Sequence, residues 1–249
     1  MKCALCNKEA DLMNSHLIPK LVYNRIKSHP KSRFRSLDNI TRVMQDGEKH
    51  YMLCHECEEK FSALETYFAK EFLDVYLNTE TIPVSSNQQM TDDYILSVAW
   101  RVLWDDLYRV NSYNDSDFIR SEFEFFENEL RNYLLNGAKR HYIHFINRIY
   151  KVSELVSNLQ GLDEGTIFGY TYYPNAEIGC LIIVYYAGLV YVTEMKNDRK
   201  VLVGFNSNKS NLVSVLSEEI ATEFKLLIRQ YKDNMTPELK VKIQKFYNK

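Results

Sequence analysis

The sequence predicts an α+β chain: a small cysteine-bearing module at the N-terminus, a helical middle, and a C-terminal antiparallel sheet with helices packed on it. Three observations carry that reading. Two Cys-x-x-Cys pairs, Cys3/Cys6 and Cys54/Cys57, bracket the first quarter of the chain. Apolar residues then recur at helical spacing through the middle. From Gly165 onward, runs rich in Val, Ile and Tyr alternate with turn dipeptides.

Cys3-Ala4-Leu5-Cys6-Asn7 reads as a knuckle in which two thiolates reach one metal across a tight turn. Ser15 reads as the N-cap of a helix with Pro19 in its first turn, running through Leu21, Val22 and Ile26 to about residue 29. Residues 40–45 and 49–53 flank Asp46-Gly47, the preferred dipeptide of a two-residue hairpin turn, and the second strand delivers Cys54. Residues 56–77 show a helical period that sets Phe61, Leu64, Phe68, Phe72 and Val75 on one face. Knuckle, hairpin and helix in that order make a treble-clef zinc finger, with Cys3, Cys6, Cys54 and Cys57 holding a structural Zn²⁺.

Residues 79–91 are polar, contain Pro83 and lack periodicity, so they read as a linker. Residues 92–110, 116–135 and 138–157 read as three helices, the first with the stripe Trp100, Leu103, Trp104 and Leu107. Residues 166–173, 177–186, 189–195 and 201–205 read as an antiparallel meander, and 211–231 and 237–247 as closing helices. The domain division that follows is 1–78 for the zinc module, 92–158 for the helical region and 160–249 for an α+β domain.

Composition narrows the class. With 45% apolar and 26% charged residues the chain is ordinary globular, and 249 residues are enough to bury a core without staples. The net charge of −2 excludes a uniformly basic nucleic-acid binder. The charge is uneven, however: residues 1–60 hold 11 Lys/Arg against 8 Asp/Glu, which leaves a basic stretch between Lys20 and Lys49. The fifth cysteine, Cys180, stands alone in an apolar run, so the pattern fits metal thiolates in a reducing compartment and not a disulfide framework. Met1-Lys2-Cys3 enters the first pair with no apolar leader, and the longest apolar run, 178–189, is too short to span a bilayer. The expectation is a cytoplasmic protein with no membrane partner.

The frame Cys3/Cys6, His16-Leu17-Ile18-Pro19 and Leu53-Cys54-His55-Glu56-Cys57 resembles the HNH, or His-Me finger, endonucleases over roughly the first quarter of the chain. The resemblance implies that His16 is the general base that activates water for attack on a phosphodiester, with one divalent cation, Mg²⁺ or Mn²⁺, at the scissile phosphate. This chain departs from the family pattern at its metal ligands. Ser15 stands where the family carries a metal-binding Asp or His, and the family's Asn and last helical His fall near Lys49 and Ser62. Lys49 and Glu58 are therefore the residues at hand to complete a catalytic set with His16. Ser15-His16-x-x-Pro19-Lys20, Arg42-x-x-Gln45-Asp46-Gly47-x-Lys49 and Leu53-Cys54-x-x-Cys57-Glu58 also resemble a group of bacterial HNH-like zinc proteins, which implies a bacterial or phage origin and a place in phage defence.

Two roles stay open for each candidate. His16 fits a general base or a histidine packed at the knuckle, and Glu58 fits a metal ligand or a solvated first-turn acid. Lys20, Lys31, Arg33, Arg35 and Arg42 fit phosphate-backbone contacts to DNA or RNA, or an ordinary solvated surface. The resulting functions are a metal-dependent nuclease, or a catalytically silent zinc module that binds nucleic acid, a protein partner or a second copy of itself.

Overall fold

The computed structural model describes residues 1–28, 35–36, 46–110, 117–137, 143–155, 167–175 and 179–197, with the isolated positions 222 and 237. Helices and strands are mixed, as an α+β chain requires, and the cysteine pairs cluster near the N-terminus. The expected strands at 40–45 and 201–205 and the two closing helices lie outside the described residues, as do Lys31, Arg33 and Arg42.

Strand β1 (Leu12–His16) follows the knuckle, and helix α1 (Lys20–Ser28) follows β1. Ser15 is therefore a strand residue and not the expected N-cap. The first helical amides are served instead by the backbone, with the Val22 N–H donating to the Pro19 carbonyl at 3.0 Å. The two residues of β2 (Arg35–Ser36) precede β3 (Lys49–Cys54), which pairs antiparallel with β1, His16 opposite Lys49 and Leu12 opposite Cys54. The strand that ends at Cys54 pairs with the one carrying His16.

Helix α2 (His55–Phe68) begins at Cys54, whose extended backbone forms its N-cap. A π-helical turn at Ala69–Leu73 and helix α3 (Asp74–Thr79) prolong it, and Glu80 stops it in the left-handed conformation. Of the stripe read from the sequence, Phe61, Phe68 and Phe72 are buried, but Val75 is 39% exposed, because the wide turn advances the register by about a residue. The linker is short and tethered: Tyr67 Oη lies within hydrogen-bond distance of Ser85 and Ser86 Oγ, and Asn87 caps helix α4 (Gln88–Asp105) through the Met90 N–H. A second π-helical turn covers Asp106–Val110, and α5 (Asp117–Asn136) packs on α4.

The third expected helix is a correction. Ile143–Lys151, inside the span 92–158 read as helical, forms strand β4, followed by the single turn α6 (Val152–Leu155). Strands β5 (Ile167–Asn175), β6 (Gly179–Tyr186) and β7 (Leu189–Asn197) make the expected meander. The sheet order is β2-β5-β6-β7-β4, antiparallel except for β2, which runs parallel to β5. In β6, Cys180, Ile182, Val184 and Tyr186 join the main core while the alternate residues Leu181, Ile183 and Tyr185 are buried on the opposite face. Helix α4 covers the first of these faces, where Tyr186 Oη donates to Tyr94 Oη at 3.1 Å. No helix among the described residues is long and apolar enough to cross a membrane.

Candidate metal centre and the polar face beside it

Local geometry in the knuckle places the first two thiols. Asn7 takes a left-handed conformation, φ 60°. That closes a turn in which the Asn7 N–H donates to the Cys3 carbonyl and the Cys3 N–H to the Lys8 carbonyl, each at 2.9 Å. The Ala4 N–H donates to the Met52 carbonyl at 2.9 Å, which fixes the knuckle against β3. Cys54 ends that strand and Cys57 sits in the first turn of α2, so three elements converge on one point.

The four Sγ atoms of Cys3, Cys6, Cys54 and Cys57 lie within 4.8 Å of one another, close enough to bind one metal ion. The Cys6 and Cys54 sulfurs are 3.8 Å apart. A tetrahedron of thiolates at about 2.3 Å from a metal has an edge of about 3.8 Å, so this pair already stands at ligand spacing. The backbone amide of Cys54 donates to Cys3 Sγ at 3.3 Å. Burial opposes ionisation of Cys3, but N–H donors from the Cys6, Cys54 and Leu5 backbone outweigh it and lower its pKa, whereas burial and the neighbouring thiols push Cys57 up. A cation removes that conflict, since every thiolate then faces positive charge. The cysteines are unpaired as disulfides.

On β1, successive side chains point to opposite faces of the β1–β3 ribbon. Ser15 is fully buried and donates to Glu58 Oε2 on α2 at 2.6 Å. His16, on the opposite face, has its Nε2 3.0 Å from Asp46 Oδ1, and Lys49 Nζ donates to Asp46 Oδ2 at 3.1 Å. The three proposed catalytic residues are thus divided: His16 and Lys49 meet on Asp46, while Glu58 is tied to Ser15 across the ribbon. Partial burial acts to raise the Asp46 pKa, but hydrogen bonds from Lys49 and His16 prevail and bring it down to about 2. An ionised carboxylate only accepts, so Nε2 of His16 carries its proton and Nδ1 of the neutral ring offers a lone pair. The His16 side chain is 14% exposed.

Asp46 is the residue that reading the sequence missed. Its dipeptide with Gly47 signalled a turn, and Gly47 is there for a different reason: it carries no positive φ, and a Cβ on it would overlap the ring of Tyr23. Tyr23 in turn lies 6.3 Å from the His16 ring and stacks on Phe168 of β5 at 4.8 Å.

A second polar group lies where the start of β3 meets the end of α4. His50 Nε2 is 3.2 Å from Glu48 Oε1 and 3.4 Å from the fully buried Asp105. These three could by their spacing hold a metal ion, but Arg109 already bridges the two carboxylates, at 2.6 Å to Asp105 and 2.5 Å to Glu48. The Asp105–Arg109 pair is four residues apart on one helical rise and was readable; its meeting with His50, 55 residues away, was not. Lys20 is exposed at the start of α1, and Arg35 lies on the edge strand β2.

No protein-family model, no curated protein and no solved structure matches the chain.

Proposed function

We propose that the chain is an HNH-like hydrolase of nucleic-acid phosphodiesters, held in shape by a structural Zn²⁺ on Cys3, Cys6, Cys54 and Cys57 and working in a reducing cytoplasm. All-thiolate donors at tetrahedral spacing suit zinc, which has no redox chemistry to interfere. The observation that carries the catalytic reading is the Asp46–His16 pair at 3.0 Å, at the end of β1 away from the thiolate centre.

In this reading His16 Nδ1 takes a proton from water as the water oxygen attacks phosphorus. Asp46 fixes the tautomer and steadies the imidazolium that forms, and Lys49 offsets charge on the non-bridging oxygens. The P–O bond to the leaving oxygen then breaks, and that oxygen takes a proton from the imidazolium or from solvent. A catalytic Mg²⁺ or Mn²⁺ does not fit at Ser15, which is buried and engaged with Glu58, and Arg109 already supplies the cation between Glu48 and Asp105.

The test is cleavage of plasmid DNA and of RNA by the purified chain, without added divalent cation and with Mg²⁺, Mn²⁺ or Ni²⁺, beside His16→Ala and Asp46→Asn. Loss of a positioned general base costs roughly 10²- to 10⁴-fold, so His16→Ala abolishes cleavage and Asp46→Asn reduces it strongly. Cleavage that persists in His16→Ala removes His16 from the mechanism. No cleavage by any form leaves the chain a binding module for nucleic acid or a protein.

A further inference from the structure

The face of the β1–β3 ribbon that carries His16 continues past the Asp46 cluster. The register places Asn14 opposite Tyr51 and His16 opposite Lys49, so these four side chains share one face. Asn14 and Lys49 are exposed, and Tyr51 is 65% exposed. Among the described residues nothing hydrogen-bonds to Tyr51 or stacks on it. Phe68, Tyr94, Tyr186 and Tyr191, by contrast, are buried in mutual stacks.

An open ring two residues from a lysine on one strand face sits about 7 Å from it along the strand. That is the reach between a phosphate and a base of the same or the next nucleotide. We infer that this face binds single-stranded nucleic acid, with a phosphate at the exposed Lys49 ammonium and an unpaired base stacked on Tyr51. The inference rests on the hydrolase reading and specifies its substrate class. A duplex would leave Tyr51 idle, because base faces inside a helix are covered by their neighbours, whereas every unstacked base offers a π-face to an aromatic side chain. The alternation of cation, aromatic ring and amide suits a strand with charged and flat parts in turn. It provides no wide apolar patch of the kind a protein partner would cover.

The experiment measures binding without cleavage, in full-length zinc-loaded protein carrying His16→Ala, with a labelled oligothymidylate and a mixed-sequence duplex of equal length over one shared series of salt concentrations. The single strand is expected to bind more tightly. Adding Tyr51→Ala weakens single-strand binding roughly ten-fold or more while duplex binding changes less than about two-fold. Tyr51→Phe retains single-strand affinity, because the ring and not the hydroxyl makes the contact. Lys49→Ala weakens both and lowers the salt slope by about one. Equal affinity for duplex, no loss on Tyr51→Ala, equal loss on Tyr51→Phe, or no oligonucleotide binding at all overturns the inference. Its failure is distinct from that of the hydrolase reading. Cleavage by the native chain without single-strand preference sinks only this inference, and Tyr51-dependent binding without cleavage by the native chain sinks only the other.

Discussion

At the scale of single residues, Gly47 shows how a small side chain can hold a site together. Asp46 must reach back to His16 and forward to Lys49 at once, and its Oδ1 also accepts from the Gly47 N–H at 3.0 Å. That turn packs against the Tyr23 ring, which is 5% exposed and stacks on Phe168. A Cβ on Gly47 would overlap the outer edge of that ring. Gly47→Ala is expected to destabilise the chain by about 1–3 kcal/mol, the usual cost of overpacking, and to loosen the hold of Asp46 on His16. Calorimetry checks the first effect, and an unchanged Tm would mean that Tyr23 can move. The cysteines were legible as a set because their spacing is a local property. Asp46 was not, because its meaning depends on a histidine 30 residues away.

At the scale of elements, helices α2 and α4 meet over a buried charge. Arg101 is 1% exposed and donates through Nη2 to Glu65 Oε1 at 2.6 Å, with its guanidinium 4.7 Å from the Phe61 ring centroid. Among the described residues its Nε and Nη1 have no hydrogen-bond partner, so the Phe61 ring face and one carboxylate are what compensate the buried charge. Glu65→Leu should therefore cost about 3–5 kcal/mol by stranding the guanidinium, whereas the pair Glu65→Leu with Arg101→Met should recover most of that loss. Urea denaturation of the three forms measures both, and a double variant no better than the single one would show that the pair stabilises beyond its charge. Strand β4 marks where reading elements from sequence stopped working. Ile143, Ile146 and Tyr150, with Phe145 and Ile149, satisfy a helical spacing as well as a strand one. The decision came from β7, which pairs with all nine of its residues and adds the Arg148–Glu194 ion pair at 2.6 Å and the Thr193–Asn147 hydrogen bond at 2.9 Å. Strands β6 and β7 were legible because their β-branched runs are buried on both faces and have no helical alternative.

At the scale of the whole molecule, the metal centre and the large sheet belong to one core. The buried cluster runs without a break from Cys3 and Leu5 through Phe61 and Trp100 to Tyr191 and Met195. Two aromatic joints carry it across: Tyr23 on Phe168, and Phe68, which stacks on Tyr94 at 3.8 Å and meets Tyr191 edge-on at 6.0 Å. The sequence suggests that chelation melts the N-terminal module first, since zinc orders only the segments that ligate it. The shared core changes that expectation. In the zinc-bound form proposed above, removing the metal would unclamp the knuckle from β3 and the start of α2, and α2 carries Phe61 and Phe68 into the packing of α4 and the sheet. Thiolate-bound zinc is worth on the order of 10 kcal/mol in small modules, so a chelator should lower the Tm of the whole chain by about 10 °C or more in one transition. Far-ultraviolet circular dichroism follows helices and strands, and the near-ultraviolet signal follows the buried tyrosines at 94, 186 and 191. Coincident melting by the two probes supports a single cooperative unit. A near-ultraviolet transition left at its original temperature while the far-ultraviolet signal falls early would show that the sheet stands without the metal centre.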